Sequence, residues 1–119
     1  MSHPLRTKET QEKYEERKKT HSFVNECALC HKAEPIETFE YWFVVPNAFP
    51  YDLVATTHDM LIPKRHTTYE GLNKEEREEL EFIRSTHIEK NYETIAENTN
   101  RRKTIPQHFH LHLIVFKGN

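Results

Sequence analysis

The sequence predicts an α+β domain, an antiparallel sheet of about five strands with one long helix, and three observations carry that prediction. Aromatic and β-branched runs between residues 39 and 62 end in Pro46-Asn47 and Pro63. An apolar repeat of helical period starts at Asn73. Near the end, His108, His110 and His112 alternate with Phe109, Leu111 and Leu113, which is the period of a strand. At 119 residues the chain fits one domain with a core, not two.

Taken in order, residues 1–21 form a charged extension, with Leu5 and Tyr14 as its sizeable apolar side chains. Two such groups make no amphipathic stripe; the segment can be helical through its Glu and Lys content, and it is expected to be exposed and partly frayed. The folded domain is expected over residues 22–119. The run Phe39–Val45 reads as a strand buried on at least one face, stopped by Pro46-Asn47. Asp52–Thr56 and Asp59–Ile62 read as further strand material ending at Pro63. Asn73 followed by Glu76 is a capping-box start. From there Leu80, Ile83, His87 or Ile88, Tyr92 and Ile95 continue at helical spacing to about Glu97. Thr99–Thr104 is expected to be a turn or short edge strand, and the histidine strand closes the domain at Phe116.

Composition narrows the function classes. With 35% hydrophobic and 30% charged residues, part of the chain must be solvated surface. A formal charge of −2 gives no field to attract nucleic acid. No apolar run has the length of a membrane span, and the polar N-terminus lacks the apolar core of a secretory signal. A cytoplasmic protein without membrane or nucleic-acid partners is therefore expected, in which Cys27 and Cys30 form no structural disulfide.

The histidine strand is the most chemical feature. Side chains two residues apart share a face, which places the three imidazoles on one side at roughly 6–7 Å intervals. Imidazole binds metal, moves protons near neutral pH and attacks phosphorus. The alternative is a solvent-facing strand in a chain that holds nine histidines. Cys27-x-x-Cys30 has the spacing of half a tetrahedral zinc site. With His31 it also matches the haem-attachment pattern, which requires export, and a redox dithiol would require a βαβ setting that the preceding charged segment does not supply. Pro63 ends a strand, so His66 lies in the loop beyond it. His3, His21 and His87 read as surface or helix-packing residues.

Together these pieces resemble the histidine triad (HIT) family of nucleotide hydrolases and transferases. Four elements match in order: Cys27-x-x-Cys30, the turn Asn47-x-Phe49-Pro50-Tyr51, the block His58-x-Met60-Leu61-Ile62-Pro63-Lys64-Arg65-His66, and His108/His110/His112. The resemblance spans about residues 23–116. It implies that His110 is the nucleophile toward the α-phosphorus of a purine nucleotide, forming a nucleotidyl-histidine that water resolves to a nucleoside 5′-monophosphate. It implies that His112 serves the phosphoryl oxygens or the leaving group. It implies a structural zinc held by Cys27, Cys30, His66 and His108, nucleotide contacts from Asn47, Asn98 and Thr104, and a twofold homodimer that extends the sheet. Many members carry Gly-Gln before the triad, where this chain has Arg102-Lys103-Thr104-Ile105-Pro106-Gln107. A zinc-stabilised nucleotide- or partner-binding module with little turnover is therefore the competing reading. A catalytic metal on the triad itself is a third.

Overall fold

A computed structural model describes residues 3–20, 34–99 and 107–118. In chain order it contains helix α1 (Lys8–Thr20), strands β1 (Glu37–Thr38), β2 (Trp42–Pro46) and β3 (Ala55–Pro63), and helix α2 (Lys74–Ile83). A π-helical turn (Arg84–Ile88), the short helix α3 (Glu89–Asn91), and strands β4 (Thr94–Ala96) and β5 (Leu111–Phe116) follow. The strands form one antiparallel sheet in the order β1-β2-β3-β5-β4, which is the α+β architecture expected.

The two faces of the sheet have different duties. Trp42, Val44, Leu61, Leu111 and Leu113 alternate onto one face and pack with Leu80, Ile83 and Ile88 of the helix, with Leu72 and Phe109 closing the cluster. The Trp42 indole N–H, buried with the ring, donates to the Glu76 carbonyl at 2.9 Å and so leaves no unmet donor. On the opposite face lie Val45, Met60 and Ile62 beside His58 and His112. Tyr51, Ala55 and Ile114 form a third cluster at the end of that face, with Leu5 packed against it.

The helix begins as expected. Asn73 Oδ1 accepts from the Glu76 N–H, and Glu76 Oε1 accepts from the Asn73 N–H, both at 2.8 Å. It does not run to Glu97. Residues 84–88 widen into a π turn, with the Glu89 N–H bonded to the Arg84 carbonyl five residues back. The wider turn brings Ile83 and Ile88, five apart, onto the same core. After Asn91 the chain becomes extended at Tyr92, and Thr94–Ala96 pair with β5. Ile95 thus joins the core from a strand, because β-branched residues gain a full ladder beside β5 that another helical turn would not provide.

Two further boundaries differ. The two segments expected over 52–62 are one strand, β3, with an irregularity between Ala55 and Thr57 where one residue is left over in the pairing with β5. Strand β5 starts at Leu111, not His108. Pro63 at the end of β3 has no N–H to extend the ladder, and the Phe109 N–H instead donates to the Thr67 carbonyl at 2.7 Å. Residues 100–104 of the expected edge segment lie outside the described residues. The N-terminal segment is helical from Lys8, and its residues 3–14 are fastened to the turn between β2 and β3, not frayed from it. Leu5 supplies an apolar contact there, and Thr7 and Thr10 supply hydrogen bonds to Asp52.

Candidate functional site

The three triad histidines are 1%, 8% and 5% exposed, in sequence order, which removes the solvent-facing alternative. A buried imidazole must find partners for its ring nitrogens, and here those partners assign the tautomers.

His110 Nδ1 lies 2.9 Å from the His108 carbonyl oxygen. A carbonyl can only accept, so Nδ1 carries the proton, and in the neutral ring Nε2 keeps its lone pair. His108 has the opposite arrangement. Its Nε2 lies 3.1 Å from the Pro63 carbonyl and must donate, so in the neutral ring Nδ1 is the unprotonated nitrogen. The His66 ring stands 4.9 Å from that of His108, centre to centre.

His112 is oriented by a residue outside the triad. The Tyr51 backbone N–H donates to His58 Nδ1 at 2.9 Å. A neutral His58 must then carry its proton on Nε2, which sits 2.7 Å from His112 Nδ1. His112 Nδ1 accepts, so His112 Nε2 is the protonated nitrogen and a hydrogen-bond donor. The chain of bonds thus leaves neighbouring rings, 5.4 Å apart, with a lone pair on His110 and an N–H on His112. Burial, and then the positive charge of Arg6, pushes His58 down to about 4, which keeps it neutral across the physiological range. Burial is also the largest influence on His108, holding it below the ordinary histidine value.

Strand register makes the His58–His112 contact possible. His58 pairs with Ile114 and Met60 with His112, so the two histidines are diagonal neighbours on one face. Tyr51 lies against both rings, with centres 4.4 Å from His58 and 5.3 Å from His112. Asn47 closes the turn by accepting the Phe49 N–H at 2.8 Å and brings its amide nitrogen within 3.3 Å of His58 Nε2. With the Nε2 proton committed to His112, that approach is a contact between two donors and adds no hydrogen bond to His58. Asn98 donates to the Tyr51 hydroxyl at 3.1 Å.

The structure therefore gathers His110, His112, Asn47 and Asn98 around Tyr51 and His58, and sets His66 beside His108. Cys27, Cys30 and Thr104 lie outside the described residues, and so does His21. Among the described residues no group of three or more metal-ligating side chains assembles. His87 packs between Phe39 and Tyr92 as a helix residue. His58 and Tyr51, present in the motifs that carry the resemblance but given no role there, are the residues that orient His112. The signal was present, since His58 alternates with Met60 and Ile62 on the face that also carries the triad.

Among solved structures, the chain is similar to a HIT family hydrolase from Legionella pneumophila Philadelphia 1. The two are 23% identical, the match covers 76% of this chain and 92% of that one, and the TM-score is 0.56. The likeness gives this chain a HIT-like fold. No protein-family model and no curated protein matches it.

Proposed function

We propose that the protein is a nucleotide hydrolase of the HIT type, which releases a nucleoside 5′-monophosphate from a phosphoramidate or a dinucleoside polyphosphate. The observation that carries this reading is the His110 tautomer. A ring whose Nδ1–H is held by a carbonyl presents an unprotonated Nε2, the form a nucleophile needs. That lone pair attacks the α-phosphorus. The nitrogen–phosphorus bond forms as the bond to the leaving group breaks, and the leaving group takes the electron pair and a proton from solvent. Water then attacks the same phosphorus, the nitrogen–phosphorus bond returns its pair to His110, and the second water proton goes to solvent. His112 donates through Nε2–H to a non-bridging oxygen, where charge is concentrated in the transition state. Asn47, beside His58, and Asn98, bonded to the Tyr51 hydroxyl, are assigned to the sugar of a purine nucleotide, and Thr104 to the phosphate.

Zinc belongs to the same proposal. Cys27, Cys30, His66 and His108 would make a closed tetrahedral set, which would give the metal a structural role joining the two cysteines to the segment before β5, with no position open for water. What supports this is the chemistry of the donors, with the His108 ring oriented through Nε2 by the Pro63 carbonyl and the His66 ring beside it. A ligand histidine is oriented when its other ring nitrogen donates to a carbonyl, as Nε2–H does here. A twofold dimer that extends the sheet, and a cytoplasmic location, complete the reading. Among the described residues no helix is long and apolar enough to cross a membrane.

The test is intact-mass measurement after rapid acid-free quenching of the protein with adenosine 5′-phosphoramidate. Wild type should carry one adenylyl group and release AMP, and His110→Ala should do neither. Nucleotide binding with no adduct and no product from wild type would refute the hydrolase and leave a binding module.

A further inference from the structure

The charged N-terminal segment has no part in that chemistry, yet it is fastened to the turn that orients His58. The Leu5 carbonyl accepts from the Leu53 N–H at 3.0 Å. Arg6 donates through Nε to the Phe49 carbonyl at 2.8 Å and through Nη1 to Gln11 Oε1 at 3.2 Å. Its guanidinium carbon lies 4.6 Å from the Tyr14 ring centre and 5.2 Å from that of Tyr51. Asp52 receives the Thr7 N–H at 2.8 Å, the Thr7 hydroxyl at 3.0 Å, and the Thr10 hydroxyl as well. The carboxylate therefore caps the start of α1 from across the turn, where a negative charge also suits the helix dipole. The His3 ring stacks on Tyr51 with centres 5.4 Å apart.

Apart from the Arg6 contacts to Gln11 and Tyr14 within the segment, these fastenings fall on residues 49–53, and the Tyr51 N–H at their middle fixes the His58 tautomer. A loop of this length held only by its own turns would let that N–H wander, and the His58–His112 bond would lose its direction. We infer that residues 3–14 are a strap that positions the site histidines, with Arg6 and Asp52 as its two fastenings. Both are positioning residues, because they act through Tyr51 and His58. Only the kinetic part of this inference rests on the proposed hydrolase. The ring geometry stands without it.

The experiment uses the full chain with Arg6→Ala, Asp52→Ala and Asp52→Asn. Nitrogen NMR of the histidine rings reports which ring nitrogen of His58 and His112 bears the proton, and steady-state turnover of adenosine 5′-phosphoramidate is measured alongside. Both alanine variants should convert His58 from a single tautomer to a mixture. They should lower kcat about tenfold with KM changed by less than about twofold, since misplacement of reacting groups acts on the chemical step. Asp52→Asn keeps an oxygen for the Thr7 N–H and should restore both readings. Arg6→Ala removes a half-buried side chain and leaves Asp52 in place, which keeps the test available if Asp52→Ala fails to fold. Wild-type ring signals in folded alanine variants would overturn the strap, even if their melting temperatures fall. If wild type itself turns nothing over, the hydrolase reading fails alone, and the ring signals still decide for or against the strap.

Discussion

His58 should make stability depend on pH in a way one substitution removes. The imidazole is 5% exposed and accepts the Tyr51 N–H, so protonating Nδ1 in the folded state would set two donors against each other. Burial, and then Arg6, accordingly hold it at about 4, against an ordinary value of 6.5. The folded value lies below the unfolded one, so the unfolded chain binds the extra proton between them. Stability is therefore complete above pH 6.5 and is lost as pH falls toward 4. At roughly 1.4 kcal/mol per unit the interval corresponds to about 3 kcal/mol, a large part of a small domain's stability. The assay is urea unfolding at half-unit steps from pH 7 to pH 4 for wild type and His58→Gln. Glutamine offers an amide oxygen and an N–H but does not titrate. The difference in free energy between the two proteins should shrink or reverse by about 3 kcal/mol across that interval. Parallel curves for the two proteins would refute the assignment of a neutral, backbone-bonded His58. Zinc loss in acid would affect both proteins and so cancel in the comparison.

Two further outcomes follow from the same geometry. Glu76 is buried and joins the capping box to Arg65, accepting from its Nε at 3.1 Å and its Nη2 at 2.8 Å, so Glu76→Ala should cost roughly 2 kcal/mol in denaturant unfolding. A change below 0.5 kcal/mol, on the order of an ordinary surface substitution, would show the box to be incidental. Purified, untagged protein should contain one zinc per chain by elemental analysis, and Cys27→Ser should lower that content and the melting temperature together. Full zinc content in that variant would remove Cys27 from the proposed ligand set.

Much of the fold was legible because several elements are encoded locally. The Asn73–Glu76 box, the proline ends of β2 and β3, and the alternation through Leu113 each announce themselves within a few residues. The boundaries that shifted were those where a local pattern competed with pairing partners far along the chain. Ile95 continues a helical period and also fits a strand, and only the presence of β5 beside it decides the matter. The start of β5 is set by Pro63, forty-eight residues before Leu111. The N-terminal helix looked unattached because its anchor is Asp52, reached only in three dimensions.

The sequence by itself determined that His112 and Ile114 share a face, since a strand's period of two leaves no choice within β5, while His108 and His110 repeat that spacing just ahead of the strand. It could not determine which nitrogen of each ring bears the proton. That was decided by the His108 and Pro63 carbonyls, the Tyr51 N–H and the diagonal register of β3 against β5. A slip of one residue in that register would turn His58 to the helix side and leave His112 without its partner. Tautomers follow from hydrogen-bond partners, and those partners come from segments that only folding brings together.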